Sequence, residues 1–286
     1  MTVERLCDET QCDGQCAGCT LHERQAAPGN AASSFLEQAN PFSNIKKVIG
    51  VMSGKGGVGK SLTAAMLAVL FRREGYNTAI LDADVTGPSI PKMFDLTQEL
   101  TGDERGITPA QTHNAIQVIS TNLLLPTEDT PVIWRGPVVS GTVRQFWTDV
   151  AWGDVDVLFI DMPPGTGDIP LTVFQALPVD GVIIVTSPQD LVGMIVKKAY
   201  NMAQQMSIPV LGFVENMSYV QCPDCGEKIY VYGHSRLEET AAELGVPVLA
   251  KMPIDPALAG LCDEGNIELF YNDYLDGAVA YLKTIL

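Results

Sequence analysis

Short, almost uninterrupted apolar runs recur along the chain at Val48–Met52, Thr78–Leu81, Val155–Ile160, Gly181–Val185, Val210–Val214 and Pro247–Met252. Continuous rather than alternating hydrophobicity is what a strand needs when helices cover both faces of its sheet. Between the runs, apolar positions at helical spacing predict helices over Ser61–Arg73, Pro170–Leu177, Leu191–Met206 and Glu238–Leu244. Strands alternating with helices predict an α/β fold, a doubly wound and mostly parallel sheet with helices on both faces. The stretch Asp95–Thr130 is polar and weakly patterned and predicts no definite element. No internal repeat interrupts this texture. Residues 1–24 are polar and cysteine-rich, and Gln25–Ser34 is small and polar. The predicted organisation is a cysteine-rich segment (1–24), a flexible linker (25–44) and one α/β domain (45–286).

The first apolar run ends in Gly54-Lys-Gly-Gly-Val-Gly-Lys-Ser61, which fits G-x-x-x-x-G-K-[ST] and lies between a strand and a helix. Glycine permits positive φ and close backbone approach, so successive N–H groups can turn toward phosphate oxygens. The N-terminus of the following helix adds its positive dipole end. Gly54, Lys55, Gly56, Gly57, Val58, Gly59, Lys60, Ser61 and Leu62 therefore form a candidate nucleotide-binding stretch. Lys60 neutralises β/γ-phosphate charge in this reading, and the Ser61 hydroxyl ligates Mg²⁺.

Two further segments end at the same sheet edge, where α/β folds bind ligands. In Leu81–Pro91, Asp84 is a candidate to orient the attacking water or the metal shell, and Asp82 a structural or outer-sphere partner. A helix cap or turn is the plain alternative for both. The run Val155–Asp161 ends in a carboxylate placed, as in a Walker B strand, to bind Mg²⁺ through water. Pro163, Pro164, Gly165 and Gly167 then describe a bent loop whose backbone N–H groups can sense a γ-phosphate, with Asp168 capping the next helix.

The loop's extra lysine, Lys55, makes it similar to the deviant Walker A of the MinD/ParA/nitrogenase iron protein group. In that group the first lysine reaches the nucleotide of a facing copy, which implies a homodimer and ATP hydrolysis coupled to its geometry. Asp82–Pro91, Trp134–Pro137, Asp161–Asp168, Thr186–Asp190, Glu215–Ser218 and Pro253–Asp255 together resemble the Mrp/Nbp/ApbC-type ATPases, carriers of iron–sulfur clusters. The resemblance spans roughly residues 45–280. It implies adenine recognition by Asn216, with a lesser part for Asp255. Trp134 and Arg135 match the pattern, with packing as their default role.

Cys222-Pro-Asp-Cys225 presents two thiols in a turn, enough for half of a tetrahedral site, and a twofold dimer supplies the other half. Spacing alone favours structural zinc, with a redox dithiol as a further alternative. The family resemblance instead implies a 4Fe-4S cluster shared between two subunits. Cys7, Cys12, Cys16 and Cys19 crowd into the first segment and can hold a second cluster, a variant cluster or zinc. Cys16-Ala-Gly-Cys19 resembles part of the family's N-terminal motif, while the remaining spacing departs from it. His22 is a solvated residue by default, and Cys262, without a cysteine nearby, reads as a small buried side chain.

Charge narrows the function. Of 286 residues, 34 are Asp or Glu and 18 Lys or Arg, a net charge of −16. That balance argues against broad binding to nucleic acid or anionic lipid, though not against a small basic pocket. No apolar run reaches membrane-spanning length, and the first residues lack a secretory pattern, so a cytoplasmic location is expected. The C-terminal stretch Tyr274–Leu286 carries one lysine, which disfavours a MinD-like membrane helix. The expectation is an ATP-hydrolysing homodimer that assembles a cluster at Cys222/Cys225 and passes it to apoproteins. A MinD/ParA-like positioning ATPase, an ATPase with structural zinc and a nitrogenase-reductase-like electron donor are the alternatives. Intrinsic turnover is expected to be slow, since no arginine finger in cis is evident.

Overall fold

The computed structural model describes residues 36–84, 87, 89–124, 136–188 and 192–286. Cys7, Cys12, Cys16, Cys19, His22, Trp134 and Arg135 lie outside the described residues, as does the first part of the expected linker.

The strands are β1 (Ser43–Ser53), β2 (Thr78–Asp82), β3 (Thr101–Asp103), β4 (Gly106–Thr108), β5 (Ala110–Gln111), β6 (Gln117–Ile119), β7 (Gly153–Asp161), β8 (Gly181–Thr186), β9 (Val210–Gln221), β10 (Lys228–Ile229) and β11 (Val248–Pro253). The helices are α1 (Lys60–Arg73), α2 (Ile90–Met93), α3 (Gly136–Thr148), α4 (Asp168–Ala176), α5 (Val192–Gln205), α6 (Leu237–Leu244), α7 (Pro256–Asp263) and α8 (Asp276–Lys283). In the main sheet the order is β9-β8-β1-β7-β2-β6-β5, with β10 and β11 both pairing β9 at its outer edge. Every pairing along it is parallel except β5 with β6 and β10 with β9. β3 and β4 form a separate hairpin.

Period-two alternation divides the core into two layers. Ile49, Val51, Ile80, Val157, Phe159, Ile183 and Val185 face the layer built on α1, α2, α7 and α8. Val48, Met52, Leu81, Leu158, Ile160, Val182 and Ile184 face α3, α4, α5 and α6. Both faces are dry, which explains the unbroken apolar runs. Helix α1 buries nine of its 14 residues, Lys60 among them, because it lies between the sheet and other elements rather than at the surface. No helix among the described residues is long and apolar enough to cross a membrane.

Several expectations need correction. The span read as linker already belongs to the domain from residue 36 onward. Glu37 N–H donates to Ala176 O at 2.8 Å, Trp147 Nε1 donates to Glu37 O at 3.0 Å, and Asn40 Nδ2 donates to Arg105 O at 2.9 Å. Within the weakly patterned stretch, β6 extends the sheet beside β2 despite being three residues long. Helix α3 was not expected, since Gly, Thr and Val dominate its first turns; it is held by Val139, Val143, Phe146 and Trp147, a buried stripe at helical spacing.

Candidate functional site

The C-terminal ends of β1, β7 and β2 converge. The segment Gly54–Gly59 leaves β1 and enters α1, whose N-terminal cap is Gly59 in the left-handed region at φ 82°. Gly57 is also left-handed at φ 77°. A Cβ at Gly59 would stand 2.1 Å from Asn216 Nδ2, whereas one at Gly57 meets nothing within 4 Å. Gly59 is thus required twice over, by its backbone and by its neighbour. The loop is braced from outside by Ser53 Oγ, which donates to Lys55 O at 2.9 Å, and by Gly165 N–H, which donates to Ser53 O at 2.8 Å.

At the first turn of α1 the buried Lys60 ammonium donates to Asp161 Oδ1 at 2.6 Å and to Ser61 Oγ at 3.3 Å, and lies 3.5 Å from Asp84 Oδ2. Asp161 ends β7 directly opposite Asp82, which ends β2. Asp82 accepts from Ser120 Oγ at 3.0 Å and from Asp84 N–H at 3.1 Å. Two carboxylates therefore contact the Lys60 ammonium, and Asp82 lies within reach of its charge. Burial, with the nearby Asp161 charge, holds the Asp82 carboxyl well above its ordinary range. Burial also raises Asp161, against the lowering effect of Lys60. Asp161 Oδ2 is buried and has no hydrogen-bond partner among the described residues. An orphaned carboxylate oxygen beside a serine hydroxyl at the foot of a phosphate loop fits a hard, oxygen-liganded cation such as Mg²⁺.

Asn216 is buried on β9, donates from Nδ2 to Val58 O at 3.1 Å and accepts from Met217 N–H at 2.9 Å. Its amide keeps one N–H and one lone pair beyond these bonds. Asp255 caps α7, accepting from Ala257 and Leu258 N–H, while its other oxygen accepts from Tyr274 Oη at 2.8 Å. Asp168 differs from expectation. It is the first residue of α4 rather than its cap, which is Gly167, and its carboxylate in the first turn complements the helix dipole.

Cys222 and Cys225 lie on the hairpin joining β9 to β10. Cys222 N–H donates to Glu227 O and Gly226 N–H to Cys222 O, both at 2.9 Å, which folds both cysteines into one tight turn. The backbone N–H groups of Cys225 and Asp224, with the Cys225 side chain, pull the Cys222 thiol below its ordinary value. Beyond them Ile229, Tyr230, Val231 and Tyr232 are all exposed. Among the described residues no set of three or more His, Cys, Asp or Glu side chains is arranged to hold a metal on its own. Cys262 is half-buried rather than buried, and burial followed by the Asp263 charge pushes its thiol up to about 11.

The structure thus gathers Gly54–Ser61, Asp84 and Asp161 at one edge, with Asn216 against the loop, and sets Cys222 and Cys225 apart at the far end of β9. Sequence reasoning missed Ser120, which supports Asp82, and assigned no part to Glu215. Glu215 is a buried carboxylate that accepts from Ser218 Oγ at 2.5 Å and from Ser235 Oγ. Its place directly after the apolar run Val210–Val214 was the available signal.

Residues 44–285 match the ParA family profile described as NUBPL iron-transfer P-loop NTPase. An iron-sulfur cluster carrier protein of Clostridium perfringens is 43% identical over 267 residues, covering 89% of this chain and 94% of that one. One from Methanocaldococcus jannaschii is 42% identical over 261 residues, 89% of each chain. The solved nucleotide-binding protein of Archaeoglobus fulgidus in complex with ADP is 42% identical, with a TM-score of 0.73 over 80% of this chain and 90% of that one. The cell division ATPase MinD of Pyrococcus furiosus, at 19% identity and TM-score 0.56 over 84% of this chain and 99% of that one, shares the fold.

Proposed function

The chain belongs to the iron-transfer P-loop NTPases of the ParA group, NUBPL type, and on that basis we propose that it is a cytoplasmic, ATP-hydrolysing homodimer that carries an iron–sulfur cluster and hands it to apoproteins. The observation that carries this reading is the Cys222/Cys225 turn. Two thiols, with the Cys222 thiol drawn below its ordinary value, are held out on a hairpin beside the exposed apolar run Ile229–Tyr232, and no set of three or more His, Cys, Asp or Glu side chains among the described residues is arranged to hold a metal. A second copy brings two more thiolates and covers that apolar run. Four thiolates suit a 4Fe-4S cluster as cargo. Cys7, Cys12, Cys16 and Cys19 are proposed to bind a second cluster.

In the nucleotide site Lys60 is held by Asp161 and Asp84 until triphosphate arrives. The incoming phosphates compete for the ammonium, and Gly54–Gly59 offers its backbone N–H groups to the same oxygens. Ser61 and Asp161 would hold Mg²⁺, which would neutralise phosphate charge. Asp84 orients the attacking water. Lys55 acts on the nucleotide of the facing copy. Asn216, midway along β9, and Asp255, just past the end of its partner strand β11, border the adenine, with the remaining N–H and lone pair of Asn216 available to it.

Anaerobic reconstitution of the full chain with iron and sulfide tests the reading. Cys222→Ala/Cys225→Ala is expected to lose the cluster that transfers to an apo-ferredoxin, while a Cys7/Cys12/Cys16/Cys19→Ala variant retains it. Equal transferable iron and sulfide in the Cys222/Cys225 variant and the parent would reject the assignment. Zinc at this turn in protein purified anaerobically, with no cluster uptake, would establish the structural-zinc alternative.

A further inference from the structure

The nucleotide loop and the cysteine turn are joined by one strand, and that strand is irregular between them. Lys251 of β11 faces Glu215 and Pro253 faces Tyr219, so four steps along β9 match two along β11. The surplus is taken up at Asn216–Ser218, where Met217 adopts φ 58°, a left-handed conformation that a non-glycine residue rarely holds. On the inner side of this bulge Asn216 reaches Val58 O of the phosphate loop. The contact has no slack, because the Asn216 amide fills the space a Gly59 side chain would need.

On its outer side, Glu215 ties both stalks of the cysteine hairpin. Ser218, on the outgoing strand, and Ser235, on the return, donate to its two carboxylate oxygens. Ser235 Oγ also accepts from Leu237 N–H at 3.1 Å, anchoring the return stalk to the start of α6. Between the stalks, Tyr219, Tyr230 and His234 contact one another in series as tilted rings, with centroids 6.4 and 4.6 Å apart, and Lys228 Nζ lies 4.3 Å from the Tyr219 ring centre. Glu215 has no ion pair among the described residues, so two hydroxyls are what hold this buried carboxylate in place. Consecutive residues 215 and 216 thus grip the cysteine hairpin and the phosphate loop respectively.

We propose that the Asn216–Ser218 bulge of β9 is the joint that couples the phosphate loop to the cysteine turn, with Glu215, Ser218 and Ser235 as positioning residues that carry a change at Val58 out to Cys222 and Cys225. The inference rests on the reading of those cysteines as the cargo site. A carboxylate clasp over a strained bulge has discrete arrangements rather than a continuum, which is what transmission between separated sites requires.

The test is alkylation of the cluster-free full chain with iodoacetamide, resolved by peptide mass mapping, with and without a non-hydrolysable ATP analogue and Mg²⁺. In the parent protein, nucleotide changes the Cys222 rate by roughly fivefold or more, the lower end of ordinary coupling between sites. In Ser235→Ala that response falls below about twofold at unchanged nucleotide affinity, and Ser235→Thr restores it. A full response in Ser235→Ala, or none in a parent that binds the analogue, overturns the proposal. Should Ser235→Ala unfold, seen as fast alkylation of Cys262, Ser218→Ala carries the same expectation and the same refutation. Failure of the carrier reading is separate: it appears as a parent chain that takes up no cluster, whatever its alkylation response.

Discussion

Gly57 and Gly59 share one loop and nearly one φ, 77° and 82°, but differ in what surrounds them, which allows backbone strain and steric fit to be measured apart. At Gly57 an alanine methyl enters open space, so the cost is that of a non-glycine residue in the left-handed region, about 1 kcal/mol. At Gly59 the same strain applies, and the methyl lies 2.1 Å from Asn216 Nδ2 and 3.2 Å from its Cγ. Asn216 must then move and give up its bond to Val58 O. Overpacking of this kind costs about 1–3 kcal/mol, and the lost hydrogen bond about 1 kcal/mol. The expected totals are about 1 kcal/mol for Gly57→Ala and about 4 kcal/mol for Gly59→Ala. For a domain of this size, with about 2–4 °C per kcal/mol, the two melting temperatures should differ by roughly 6–12 °C. The sharper measurement is a double-mutant cycle in urea with Asn216→Ala, which removes the atom that clashes. The Gly59→Ala/Asn216→Ala protein should be more stable than the sum of the single losses predicts, by about 3 kcal/mol, since the clash is relieved and the lost hydrogen bond is counted once instead of twice. Equal melting temperatures for the two alanine variants, or strict additivity in the cycle, would refute the claim that Asn216 is packed against the loop.

Lys60→Ala leaves Asp161 and Asp84 without their cation, so calorimetry should lose the heat of ATP binding and denaturant titration should show lower stability, by about 3–5 kcal/mol. Lys55→Ala should bind ATP with near-parental affinity and lose hydrolysis and nucleotide-dependent dimerisation, read by phosphate release and light scattering; normal hydrolysis would remove the trans role. Cys262, pushed up to about 11 from an ordinary 9.0, carries at pH 8 about a hundredth of an ordinary thiol's thiolate, so its alkylation should trail that of Cys222 by a wide margin. The linkage sign follows from the same shift: the folded state keeps the Cys262 proton where the unfolded chain has released it, so stability should fall as pH rises from about 9 toward 11, and Cys262→Ala should flatten that slope.

The phosphate loop was legible because its signal is local: a strand, a glycine-rich turn and a helix must follow one another in the chain for the backbone to close around an anion. The six apolar runs were legible for a similar reason, five of them being strands largely dry on both faces and the sixth, β11, a half-buried strand. Elements whose stability comes from elsewhere were not. Helix α3 has poor intrinsic propensity and exists because Val143, Phe146 and Trp147 are buried against the sheet layer. Strand β6 is too short to show a period and is fixed by pairing with β2. For α7 the signal was present, an Asp255-Pro256 start that gives both cap and first residue, but the resemblance drew attention to Asp255 as a nucleotide residue.

The site shows the same division more sharply. Asp161 could be placed at a strand end from sequence, but its unbonded Oδ2 arises only from the burial that β2, β7 and α1 impose together. Glu215 is the extreme case, since nothing in its immediate neighbours calls for a carboxylate inside a sheet. One of its two partners, Ser218, is on the same strand, but the other lies 20 residues on, at Ser235, after the chain has gone out to the cysteine turn and back. A buried carboxylate clasped by two hydroxyls is a costly way to fix a hairpin, because apolar side chains of the same volume would do so without desolvating a charge. Fixing it by polar groups next to Asn216 makes sense if the hairpin has more than one required position, since hydrogen bonds can be exchanged between arrangements where close packing cannot slide.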